Sequence, residues 1–197
     1  MPQIIKIGAA ALLALALGAC QTTATKPKRL AEGEFETAIR PGETRLRLQN
    51  FDREKWQSRG IDTLSAARTA FVCRPLACPA PSGVIYARLN SPTRKPDPQA
   101  LLNLAQSVAD KAAQEGATIT AAPRTGTTKG FPSFNFAYTK QRDGKTEFGR
   151  STSVFAGSLA FNILSISQNE AAAGRHLDEF LRAVEIVDGG PRRTASR

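Results

Sequence analysis

Three cysteines, one histidine and scattered hydroxyls and carboxylates are the groups of this 197-residue chain that could do chemistry. Nucleophilic catalysis by serine or cysteine needs a base beside the nucleophile, normally a histidine. His176 is the only histidine. It sits one position before Leu177 in a helical pattern and is expected to face solvent. Asp178 and Glu179 are adjacent, and adjacent helical positions do not converge on one site. The stretch "AAPRTGTTKG" has Gly126, Thr127, Thr128 and Lys129, but it lacks the phosphate-loop spacing and reads as a loop between strands. A zinc site at Cys73 and Cys78 would need two further ligands, and the only histidine, His176, lies far along the chain in a helical pattern. The sequence implies no catalytic residue, no metal and no cofactor.

The third cysteine, Cys20, closes the leader. One basic residue, Lys6, precedes an apolar stretch from Ile7 to Ala19. That is the layout of a secretory signal, and it is shorter than the ~20 apolar residues of a membrane span. Leu17-Gly18-Ala19-Cys20 resembles the bacterial lipobox, with Leu at −3 and small residues at −2 and −1. The resemblance implies cleavage before Cys20 and acylation of its thiol and new amino group. Several acyl chains, at about 0.8 kcal/mol per buried methylene, make an anchor that one chain does not. Gln21 is not acidic, which in the enterobacterial sorting pattern favours the outer membrane. The expected location is therefore the cell envelope, on the periplasmic face of the outer membrane.

With Cys20 acylated, Cys73 and Cys78 in "CRPLAC" are an even pair, and in an oxidising compartment such a pair reads as a disulfide. Pro75 and Pro79 disfavour the helix that a thioredoxin-type redox site would open. The formal net charge is +10. Arg192, Arg193 and Arg197 put part of the excess in the C-terminal tail, where it shapes no groove. No dense basic patch interleaves with aromatics, so nucleic acid is not an expected partner. An anionic envelope surface or polymer suits the charge, as does plain solvation.

These groups need elements to hold them. Residues 1–19 are the leader and 20–34, rich in Thr, Lys and Pro, a tether. Residues 35–188 form one α+β domain, and 189–197 a disordered basic tail. "TRLRLQ" alternates as a half-buried strand, and "AARTAFVC" and "GVIYARL" are further strands. Asp97 as N-cap, Pro98 and Gly116 bound a helix with Leu101, Leu104, Ala105, Val108 and Ala112 on one face. Strands follow at Ala117 to Ala122, in "FPSFNFAYTK", in "TEFGRSTSVFA" after the Asp143-Gly144 turn, and in "GSLAFNILSIS". A second helix starts at Ser167, capped with Glu170, and carries Ala173, Leu177, Phe180, Leu181 and Val184. Adjacent strands and two amphipathic helices predict an antiparallel sheet covered by helices.

This order, with "GSLAFNILSIS" and "AGRHLDEFLRAVEIV" closing it, resembles the PsbP/DcrB-like domain over residues 65 to 187. The resemblance implies a small antiparallel sheet between helices and a binding or assembly role. The Cys73–Cys78 loop is not part of that pattern. Three function classes stay open. The first is a non-catalytic envelope lipoprotein, membrane-anchored at Cys20, that binds a protein or envelope component. The second is a carrier or sensor of a small apolar ligand under the Phe134/Phe136 strand, which otherwise packs as core. The third is a periplasmic hydrolase, which requires a cleft with a perturbed acid–base pair.

Overall fold

A computed structural model describes residues 44–49, 51–63, 66–91 and 96–187. The leader, the tether with Cys20, and the basic tail lie outside the described residues. The chain runs β1 (Arg45–Leu48), β2 (Trp56–Thr63), β3 (Ala66–Cys73), β4 (Ser82–Asn90), α1 (Pro98–Gln114), β5 (Ala117–Thr128), β6 (Phe131–Arg142), β7 (Lys145–Ala156), β8 (Leu159–Ser167), α2 (Glu170–Ala183) and β9 (Val184–Val187). Seven strands make one sheet in the order β2-β3-β4-β8-β7-β6-β5, and every neighbouring pair is antiparallel. β1 and β9 form a separate two-stranded ribbon. The expected α+β architecture is the one found.

Both faces of the sheet are covered, and β8 shows why. Its side chains alternate between two cores: Phe161 and Ile163 join the core under α2 and the ribbon, whereas Ala160 and Leu164 join the core under α1. A strand buried on both faces reads as the near-continuous apolar run "LAFNIL" rather than as polar alternation. Turn chemistry fixes the register around it. Asp143 (φ 50°) and Gly144 (φ 73°) make the two-residue β6–β7 turn, with both residues at the positive φ that a type I′ turn demands.

α1 begins where expected. The Asp97 carboxylate accepts a hydrogen bond from the Ala100 amide at 2.9 Å, and Pro98 takes the first helical position, where its missing N–H costs nothing. Leu101, Ala105, Val108, Ala109 and Ala112 bury its inner face against β5 and β6. α2 begins later than expected. Ser167 is the last residue of β8; its hydroxyl accepts from the Asn169 amide at 3.1 Å and from Ser82 at 2.9 Å. Asn169 is the actual N-cap, accepting from the Ala172 amide at 2.9 Å. The sheet ladder thus won over the capping box. Val184, expected on the helix, opens β9 and pairs with Leu48, so the helix ends where a β-branched residue finds a strand partner.

Two strands and part of a third were not expected. β2 has little apolar alternation, β9 was absorbed into the helical pattern, and "AAPRTGTTKG" is mostly strand. β5 carries Pro123 and breaks register with β6 between Ile119 and Ala121 and between Ala121 and Arg124. As one of the two outer strands of the sheet, it tolerates a residue that lacks a backbone donor.

On the α1 side, large residues of β6 face small ones of β7. Phe134 lies opposite Ser153, Phe136 opposite Ser151 and Tyr138 opposite Gly149. Asn162 of β8 donates to the Ser151 and Ser153 hydroxyls at 3.0 and 2.9 Å, pairing polar groups within this core. The Tyr138 ring fills the space over Gly149, where an added Cβ would lie 2.2 Å from a ring carbon. Burial, with a contribution from the Glu147 carboxylate, pushes the Tyr138 phenol up to about 12. Gly149→Ala is therefore expected to displace the ring and destabilise the fold by roughly 1–3 kcal/mol. Urea unfolding measures this as a lower midpoint at unchanged slope.

Candidate functional site

The described groups with the most chemistry meet where α2 faces the Phe51–Trp56 turn and the β3–β4 loop. The Asp52 carboxylate accepts from the amides of Glu54 and Lys55 at 2.9 Å each, forming the tight turn that delivers Lys55 and Trp56 to the helix. Phe51 fixes the entry to this turn by stacking on Trp56 and meeting Phe71 and Phe180 edge-on. Trp56 then packs edge-on against His176, with ring centroids 5.1 Å apart, and its indole N–H donates to Glu179 Oε1 at 3.1 Å. Lys55 Nζ donates to Glu179 Oε2 at 2.5 Å and lies 5.3 Å from the Trp56 ring centre. Both oxygens of Glu179 are therefore engaged.

The other side of His176 is closed by the cysteine loop. Cys73 ends β3 and Cys78 precedes β4, and the two are joined by a disulfide with Cα atoms 6.0 Å apart. Within the loop the amides of Ala77 and Cys78 donate to the Arg74 carbonyl at 2.9 and 3.1 Å, and the Arg74 amide donates to the Lys55 carbonyl at 2.9 Å. His176 Nε2 lies 3.6 Å from Cys78 Sγ. The imidazole is thus enclosed between an indole and a cystine and is only 6% exposed.

His176 was expected in solvent, and the structure corrects this. It lies three positions after Ala173 and four before Phe180, so helical geometry places it on the buried stripe. That spacing was a usable signal; the polarity of the side chain obscured it. Burial lowers the affinity of the ring for a proton. The Lys55 and Arg175 cations act in the same direction, and the Glu179 carboxylate opposes them in part. Burial alone would raise Glu179. Its hydrogen bonds from Lys55 and Trp56 and the Lys55 charge outweigh that, and hold the carboxyl below its usual range.

The assembly is built as a clasp. Its sulfurs are bonded to each other, its carboxylate is occupied and its imidazole is walled in. Asp178 points away, exposed, as adjacent helical positions require. Among the described residues no group of three or more His, Cys, Asp and Glu is placed to hold a metal ion. Gly126 to Thr128 lie in β5, so the stretch that faintly resembled a phosphate loop is an extended edge strand. Phe134 and Phe136, the floor of the considered apolar pocket, are 2% and 4% exposed and pack under α1 with Phe155 and Leu164. What the clasp offers outward is the loop itself. Arg74, Pro75, Leu76 and Ala77 are all exposed, and Leu76 is 105% exposed, as free as in an extended peptide.

Neither a protein-family profile nor a curated protein matches the chain. Solved structures do. LpqN of Mycobacterium tuberculosis, described as involved in cell envelope biogenesis, aligns at a TM-score of 0.50 and 14% identity over 75% of this chain and 86% of that one. The cyanobacterial PsbP protein CyanoP of Synechocystis aligns at 0.50 and 10% identity over 87% of this chain and 99% of its own. At such identities the likeness establishes the fold, which is PsbP-like.

The clasp makes stability depend on pH. His176 binds its proton less readily folded than unfolded, so its contribution is intact above about pH 6.5 and is lost as pH falls below that value. Glu179, whose carboxyl is held low, keeps its contribution above the ordinary carboxylate range and loses it as pH falls through that range. Because His176 is the only histidine, the fall in stability from pH 7 to pH 5 should be largely its own. Chemical denaturation across that window should show the decline in the wild type and a flatter profile in His176→Leu.

Proposed function

We propose that this protein is a non-catalytic lipoprotein of the bacterial cell envelope. In this reading it is acylated at Cys20, held at the periplasmic face of the outer membrane, and binds a protein or an envelope component through its PsbP-like domain. The observation that carries the reading is Leu17-Gly18-Ala19-Cys20 directly after a short apolar leader. The Cys73–Cys78 disulfide supports export, because such bonds persist in oxidising compartments. The fold shared with LpqN, a protein of cell envelope biogenesis, agrees with an envelope role. The non-catalytic part rests on the clasp, which encloses the only histidine and commits the nearest carboxylate to Lys55 and Trp56. The apolar-carrier reading finds less support, since the Phe134 and Phe136 rings fill the space such a ligand would occupy. A basic body beside lipid would add weak attraction to anionic envelope polymers.

The test is direct. Cys20→Ala should abolish incorporation of labelled fatty acid and move the protein from the membrane fraction to the soluble one. A Cys20→Ala protein that still fractionates with membranes as fully as wild type would remove the anchor from this reading.

A further inference from the structure

The cysteine loop is a convex, braced, apolar tip. From Cys73 to Pro81 the chain reads "CRPLACPAP", in which Arg74 is the only charged residue and there is no acid. Pro75, Leu76, Ala77 and Pro79 are exposed. The disulfide closes the loop, two amides bind the Arg74 carbonyl inside it, and the Arg74 amide is tied to the Lys55 turn. Leu76 is therefore held outward by covalent and hydrogen-bonded supports, not by packing. A group presented in fixed form binds without first losing conformational freedom.

We infer that this tip inserts into the interfacial layer of a lipid bilayer, with Leu76 and Pro75 entering the acyl boundary and Arg74 reaching phosphate groups. A bilayer accepts a convex apolar knob without needing a matching pocket. A guanidinium beside the knob suits this site, because its stem can lie in the apolar layer while its head stays at the phosphates. The geometry leaves the chain room to do this. Thr44 lies beside Gly157, at the β7–β8 turn, whereas the tip adjoins Ser82, which pairs with Ser167 at the far end of β8. Those ends are roughly 30 Å apart along nine residues of strand. Residues 21–43 between Cys20 and Thr44 can span up to about 75 Å, so an anchor at Cys20 permits the contact. This builds on the proposed envelope location, but its test can be made independent of acylation.

The mature chain with Cys20→Ser and an N-terminal hexahistidine is tethered by nickel-chelating lipid to vesicles of phosphatidylethanolamine and phosphatidylglycerol. Leu76→Trp then adds a second indole at the tip to the buried Trp56. Its added emission should shift to the blue, be quenched mainly by brominated acyl chains, and be protected from a water-soluble quencher. Leu102→Trp, on α1 and the other exposed large apolar position among the described residues, should show the reverse. In a matched series without the nickel lipid, Leu76→Asp should weaken vesicle binding roughly tenfold, the scale expected for one leucine side chain leaving water. Circular dichroism of the variants should be unchanged, because Leu76 packs against nothing. Water-like emission from position 76 on the tethered chain would overturn the inference. So would a photoreactive residue at 76 that crosslinks to protein rather than lipid in intact cells. Fatty-acid labelling at Cys20 is read separately, so loss of the anchor and loss of the tip contact remain distinguishable.

Discussion

The structure depends on the double-sided burial of β8. Leu159–Ser167 lies between β4 and β7 and supplies side chains to both cores, so neither helix can dock unless this strand sits in register. A one-residue slip would exchange Phe161 and Ile163 with Ala160 and Asn162 and bring an amide into the aromatic core under α2. The tight turn at Gly157 and Ser158, where Gly157 takes φ 60°, joins β7 to β8 and opposes such a slip. The helix caps, the ribbon and the clasp are arranged around that fixed strand.

The two faces of the sheet solve the packing problem differently. Under α1 the solution is volume exchange, with rings of β6 set against serines and a glycine of β7 and one asparagine pairing the hydroxyls. Under α2 and near the β3–β4 loop, aromatic contact among Phe51, Trp56, Phe71 and Phe180 is combined with a cystine and a buried imidazole. A disulfide across so short a loop stabilises the whole chain modestly, since the closed loop removes little unfolded-state entropy. Its greater effect is local. It shapes a loop whose outer side chains have no packing to hold them.

The parts legible in the sequence were those governed by local rules. Asp97-Pro98 at the head of α1 and Asp143-Gly144 between β6 and β7 each satisfy backbone requirements with neighbouring residues, and both sit where the sequence placed them. The parts that stayed hidden depend on distant partners. β2 exists because β3 lies beside it, and Val184 is a strand residue because Leu48, far along the chain, pairs with it. His176 lies on the buried stripe by spacing, yet its cover comes from Trp56 and Cys78, which no local pattern links to it. Ser167 had a capping-box partner in Glu170, but its ladder with Ser82 and Phe148 held it in the strand. The tip at Leu76 was visible only as an apolar residue in a proline-rich loop.

The outer strand β5 bears on how this protein can be recognised. β5 presents an open edge, but it contains Pro123, which has no backbone donor, and two register breaks interrupt its repeat. A foreign strand laid along it would find its hydrogen bonds interrupted within a few residues. The β5 edge is thus a poor template for extending the sheet, whether by a second copy or by a client peptide. Any ligand meeting the molecule on this side has to recognise side chains, because the backbone there cannot serve as a generic adhesive.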